Sequence, residues 1–249
     1  MIRKVLLGLA TLLLVAALVI AVEIWLALRR EYLPTDPPLA LGGTFGDPDA
    51  APLRFVVLGD STAAGLGAED ASGAYATVLA ERLARDRDVR VELTVLGISG
   101  ARVADVLNEQ VPRVTELKPD LVFVGIGAND VTHVTPLEKI ERDMSAALEE
   151  LKSTGAAVAV AGAPDMRATA WHQPLRWLAG VRGEQVAAAI EEVGRAQGVG
   201  VVELADETGP FFEEDPGPHF SADEFHPSAL GYRRWADAIY PVLEAALDG

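Results

Sequence analysis

Apolar and polar positions divide the chain into three stretches. Val5 to Val22 is a run without charge or proline, and it resumes after Glu23 as Ile24-Trp25-Leu26-Ala27-Leu28. At helical rise this length crosses the hydrocarbon core of a bilayer. Arg3 and Lys4 flank one end, Arg29 and Arg30 the other, and Trp25 sits where an interfacial aromatic is expected. A cleaved signal peptide is the competing reading. It would carry a shorter apolar region ending at a small-x-small site, and no such site follows here. An uncleaved single-pass anchor over residues 1–30 is therefore favoured. The expected orientation puts the basic N-terminus inside and the remainder on the extracytoplasmic side.

Residues 31–53 hold Pro34, Pro37, Pro38, Gly42, Gly43, Pro48 and Pro52, the composition of a stiff, extended linker. From residue 54 to 249 the pattern changes to short apolar runs alternating with helical periodicity. Leu53–Leu58, Val89–Leu96, Leu121–Ile126, Ala156–Ala161 and Val199–Leu204 read as strands. Tyr75–Arg85, Ala101–Arg113, Leu137–Leu151, Arg182–Ala196 and Ser228–Leu247 read as helices. The segment 163–181 reads as irregular. The alternation implies βαβ units and a parallel sheet. Strands that are apolar throughout, rather than at every second position, imply burial on both faces.

Composition narrows the partners. The net charge is −16 and no basic block occurs in the globular part. Nucleic acid is therefore discounted, since binding it requires a cationic face that displaces counterions. Anionic headgroups are disfavoured for the globular part on the same ground. The absence of cysteine excludes disulfides, thiolate nucleophiles and cysteine-based zinc sites.

In open parallel sheets, ligands bind beyond the carboxyl ends of the strands. The turns there read Gly59-Asp60-Ser61, Gly97-Ile98-Ser99-Gly100, Gly127-Ala128-Asn129-Asp130 and Gly162-Ala163-Pro164-Asp165, and Asp223-Glu224-Phe225-His226-Pro227 precedes the last helix. Each has a bland reading. Ser61 suits a helix N-cap, Gly100 a turn, Asn129 a turn or cap, and His226 a structural loop. Together they supply what acyl transfer needs. A hydroxyl nucleophile requires a base, and the base an acceptor on its other nitrogen. Ser61, His226 and Asp223 fill those roles. The N–H groups of Ser61 and Gly100 and the amide of Asn129 suit an oxyanion hole. Asp60, Asp130 and Asp165 read as loop braces. A metal site built from those three lacks a recognisable ligand spacing. Gly65 and Gly67 match no nucleotide-binding pattern.

These blocks resemble the SGNH hydrolases, also called GDSL esterases and lipases. Gly59-Asp60-Ser61 matches the first block, with Ser61 as the implied nucleophile. Val95 to Gly100 matches the second, placing the oxyanion glycine on Gly100, although Val95 stands where the family often has asparagine. Gly127 to Asp130 matches the third, placing the oxyanion amide on Asn129. Asp223 to Pro227 matches the last, placing orienter and base. The resemblance covers about 54–247. It implies a three-layer α/β/α sandwich with a five-stranded parallel sheet, flavodoxin-like, and a serine hydrolase with no metal or organic cofactor. The implied substrate is a small-molecule, lipid or carbohydrate ester. Acyl transfer to a sugar or cell-wall polymer, or deacetylation of one, is the alternative use of the same triad. A non-catalytic binding module is disfavoured because every catalytic position is filled.

Overall fold

The computed structural model describes residues 2–167 and 170–249. Ala168 and Thr169, within the stretch read as irregular, lie outside the described residues. Six strands form one sheet: β1 (Gly43–Phe45), β2 (Pro52–Gly59), β3 (Arg90–Val95), β4 (Leu121–Gly125), β5 (Ala157–Ala161) and β6 (Gly200–Val202). Their spatial order is β1-β3-β2-β4-β5-β6. The five strands from β2 onward pair in parallel, and β1 pairs antiparallel with β3 at one edge.

The helices are α1 (Ile2–Arg29), α2 (Tyr75–Arg87), α3 (Val103–Asp105), α4 (Val111–Leu117), α5 (Ala128–Thr132), α6 (Leu137–Ser153), α7 (Leu175–Gln197), α8 (Leu204–Glu214), α9 (Pro216–His219) and α10 (Ala229–Asp248). A π-helical turn, Val106–Gln110, joins α3 to α4.

The period-2 geometry of the strands explains the three layers. Phe55, Val57 and Phe123 point to one face and pack with α2 and α10. Val56, Leu58, Val122 and Val124 point to the other and pack with α6 and α7. Both faces of β2 and β4 are thus dry, as continuous apolar strands require.

Four local expectations change. The segment 31–53 is not linker throughout, because Gly43–Phe45 forms the edge strand, so the sheet has six strands rather than five. The last parallel strand is short, and α8 begins where Val199–Leu204 was expected to continue as strand. Helix α7 begins at Leu175 and absorbs part of the irregular stretch. Ser61 does not start a helix. It lies in a turn closed by Ala64 N–H to Asp60 O at 3.0 Å and Leu66 N–H to Ser61 O at 2.9 Å, and α2 starts only at Tyr75.

Helix α1 is long and apolar enough to cross a membrane, and none of its residues is buried. Its far end nevertheless touches the globular part. The carboxylate of Glu23 accepts from Leu175 N–H at 2.8 Å, at the start of α7.

Candidate active site

The serine is positioned by the end of β2. Gly59 lies beside Gly125 of β4, and a Cβ on Gly59 would stand 2.2 Å from the Gly125 carbonyl oxygen. Only glycine lets the two backbones meet there. The buried side chain of Gln110 holds the same residue from the other side. It accepts from Gly59 N–H at 2.9 Å and donates to Gly59 O at 2.8 Å. Sequence reasoning missed Gln110, since nothing local marks a glutamine within a helical run. Replacing it with leucine leaves the buried Gly59 N–H unpaired, while Gly59 O keeps the Ile98 N–H at 3.1 Å. The Gln110→Leu variant is expected to lose about 1–3 kcal/mol of stability, read as a fall in the denaturant midpoint.

From this anchor the turn presents Ser61, which is 8% exposed. Its Oγ lies 2.9 Å from Nε2 of His226. His226 Nδ1 lies 2.7 Å from Oδ2 of Asp223. The other carboxylate oxygen, Oδ1, accepts from Ser221 Oγ at 2.9 Å, Phe225 N–H at 3.0 Å and His226 N–H at 2.9 Å. Burial pushes the Asp223 carboxyl up, but the donors from His226 and Phe225 outweigh it and hold the group well below the usual carboxylate range. Asp223 is therefore ionised and can only accept. That places the imidazole proton on Nδ1 and leaves the Nε2 lone pair facing the serine hydroxyl.

The acid–base turn is held in shape around this pair. Glu224 takes a left-handed φ of 53°, an uncommon state for a residue with a side chain. Ser221 N–H donates to His226 O at 2.8 Å. Gly67 has φ 103°, and a Cβ there would stand 2.3 Å from Pro227 O and 3.0 Å from the His226 Cβ. Gly67 thus serves the close approach of two loops.

Asn129 and Gly100 reach the same place. The Asn129 amide donates to Ala101 O at 3.1 Å, which ties the third turn to the second. Ser61, Gly100, Asn129 and His226 all line one groove of about 650 Å³. A second, smaller pocket of about 40 Å³ also borders Ser61, against Phe212, Phe220 and Trp235.

The neighbouring acids are engaged as braces. Asp60 accepts from Thr62 N–H at 2.9 Å and Thr62 Oγ1 at 2.8 Å, and burial raises its pKa against those bonds. Asp130 accepts from Val103 N–H at 3.0 Å. Asp165 accepts from Arg167. Among the described residues no group of three or more histidines and acids stands ready for a metal ion.

The other histidines point elsewhere. Asp130 precedes His133 by three residues, the same spacing as Asp223 and His226, so spacing alone does not separate the two. Geometry does: Asp130 turns inward to Val103, and His133 Nδ1 sits 2.8 Å from Asn129 O. His219 Nδ1 sits 2.8 Å from Asp215 O, and His172 lies beside the end of α1.

A family model described as GDSL-like lipase/acylhydrolase matches residues 57–234. A GDSL-like esterase of Mycobacterium tuberculosis is 34% identical over 197 residues, which cover 78% of this chain and 63% of that protein. The chain therefore spans less than two thirds of that relative. Esterase TesA of Pseudomonas aeruginosa is 26% identical over 201 residues, covering 80% of this chain and 91% of that one. Among solved structures, LAE5, an α/β hydrolase from the metagenome of Lake Arreo, has a TM-score of 0.65 at 21% identity, covering 79% of this chain and 97% of its own. At that identity the likeness is one of fold. The family match runs from β2 into α10 and takes in Ser61, Gly100, Asn129 and the acid–base turn, and on it the chain belongs to the GDSL-like lipase/acylhydrolase family of ester hydrolases.

Proposed function

We propose that this protein hydrolyses carboxylic esters through an acyl-enzyme, with Ser61 as nucleophile, His226 as base and Asp223 as orienter. The observation that carries the reading is the unbroken file of hydrogen bonds from Ser61 Oγ through both imidazole nitrogens to Asp223. As Ser61 Oγ bonds to the ester carbonyl carbon, its proton moves to His226 Nε2. The imidazolium so formed is stabilised by the Asp223 carboxylate. The oxyanion is held by the N–H groups of Ser61 and Gly100 and by the Asn129 amide. Collapse breaks the bond to the alcohol oxygen, which takes the proton from Nε2. Water then attacks the acyl-enzyme by the same steps in reverse and releases the acid. In this reading residues 1–30 stay attached as the anchor, 31–53 lead from it into β1 and the start of β2, and the hydrolase domain they join lies on the extracytoplasmic side.

The Asn129 amide is already oriented by Ala101 O, so its second N–H is a preset donor. Hydrolysis of 4-nitrophenyl butyrate by the full chain tests the arrangement. Asn129→Ala is expected to lower kcat by about 10²-fold or more with a smaller effect on KM, because the donor acts on the transition state. An unchanged kcat would remove Asn129 from the oxyanion hole.

A further inference from the structure

The larger groove beside Ser61 is built partly by the membrane helix. Its walls include Ile24, Ala27 and Leu28 of α1, Leu175 and Leu178 of α7, and Val134 from the turn after α5, with Ser61 and His226 inside. The lining is mostly apolar. Its volume of about 650 Å³ falls within the roughly 300–1,000 Å³ of pockets that enclose whole small ligands. The smaller pocket of about 40 Å³ that also borders Ser61 has room for only a few waters. The larger groove has room for an acyl chain attached at Ser61, and that groove is walled by α1.

The wall is bolted to the acid–base turn. Arg30 donates to Asp223 O at 3.1 Å and pairs with Glu224 at 2.6 Å. Leu33 N–H donates to Asp223 Oδ2 at 3.3 Å. The Tyr32 and Phe225 rings meet edge to face at 5.3 Å. Glu23 closes the other side on α7. These contacts join the helix end to the residues that carry the chemistry.

Length gives the depth of the groove. The 28 residues of α1 extend about 42 Å, whereas the hydrocarbon core is about 30 Å thick. About two turns are surplus. With the basic N-terminus at one surface, the surplus is the stretch that walls the groove. Trp25, with Arg29 at 4.4 Å from its ring centre, marks the headgroup level there. Ester linkages of bilayer lipids lie at that level. Val134 fits the same picture, for it is a β-branched residue at φ 50° and 70% exposed on the groove wall, an uncommon state that tends to persist at functional sites.

We infer that the anchor helix is a working wall of the active site, and that the substrate is a long-chain acyl ester drawn from the bilayer in which the protein sits. This rests on the hydrolase reading above and on retention of α1. Binding then needs no transfer of the acyl chain through bulk water, since the chain moves from lipid into an apolar groove that begins at the headgroup level directly above it.

The test uses the full chain, with its intact mass checked, and compares kcat/KM for 4-nitrophenyl dodecanoate and acetate in nonionic micelles. Ala27→Trp and Ile24→Trp fill the groove from α1, and the ratio of dodecanoate to acetate is expected to fall about tenfold in each. Leu14→Trp, in the middle of the same helix, should keep the wild-type ratio. In phosphatidylcholine vesicles the wild type should release fatty acid from the vesicle that holds it. A ratio that stays the same in both groove variants, a chain that has lost α1, or acetate cleavage with no fatty acid released overturns the inference and leaves the hydrolase reading standing. A wild type that cleaves neither aryl ester overturns both.

Discussion

Ser61→Ala is expected to lower kcat/KM for a short-chain aryl ester by about 10⁴-fold or more. The substitution removes one atom, the Oγ that lies 2.9 Å from His226 Nε2. What stays behind is the oxyanion cradle and the groove, so substrate binding should change little and the loss should appear in kcat. Ser61 is nearly buried but contributes one side-chain hydrogen bond, so the stability change should stay within about 1–2 kcal/mol. A folded variant with undiminished turnover would transfer the nucleophile elsewhere. The nearby Ser99 is exposed on the second turn.

The second large effect is expected at Asp223. Its carboxylate accepts from the His226 ring, Ser221 Oγ, and the N–H groups of Leu33, Phe225 and His226. Asparagine keeps the shape but has only one accepting oxygen. If that oxygen stays on the backbone N–H groups, the NH₂ faces Nδ1 and forces the imidazole proton onto Nε2. The lone pair that takes the serine proton is then lost. Asp223→Asn should therefore lower kcat by about 10³–10⁴-fold, with little change in KM.

The same carboxylate has a stability signature. Its folded-state pKa is depressed below the ordinary 3.8, so its ionised form stabilises the fold at pH values above that ordinary value. The contribution is lost as pH falls from there through the folded value. The stability difference between wild type and Asp223→Asn should shrink as the pH falls below about 4. A difference that grows on acidification would contradict the ionised assignment.

Much of this arrangement is legible in the residues. Leu53–Leu58 and Leu121–Ile126 announce buried strands because they are apolar without alternation, and each ends at a glycine where a ligand approaches. The serine and the asparagine stand beyond those ends, so topology brings them together, and the Asp-x-x-His turn joins them from the start of the last helix. The rest depends on contacts distant in sequence. β1 is three residues long within a proline- and glycine-rich stretch, and it is a strand only because β3 offers it an open edge. Gln110 looks like any helix residue until β2 lies beside it. The spacing of Asp130 and His133 imitates that of Asp223 and His226, and only the inward turn of Asp130 separates them. Leu175 starts a helix where Glu23 accepts its N–H, a partner 152 residues away. The groove is hidden for the same reason, because its walls come from α1, α5 and its following turn, and α7.

The central claim is that Ser61 is made nucleophilic by the His226–Asp223 pair. Treatment of the full chain with a fluorophosphonate, followed by peptide mass mapping, tests it most directly. The account predicts a single phosphonyl adduct on the peptide carrying Ser61, abolished by Ser61→Ala and slowed by Asp223→Asn in step with the loss of kcat. An adduct on another residue, or ester hydrolysis that continues while Ser61 stays unlabelled, would contradict it.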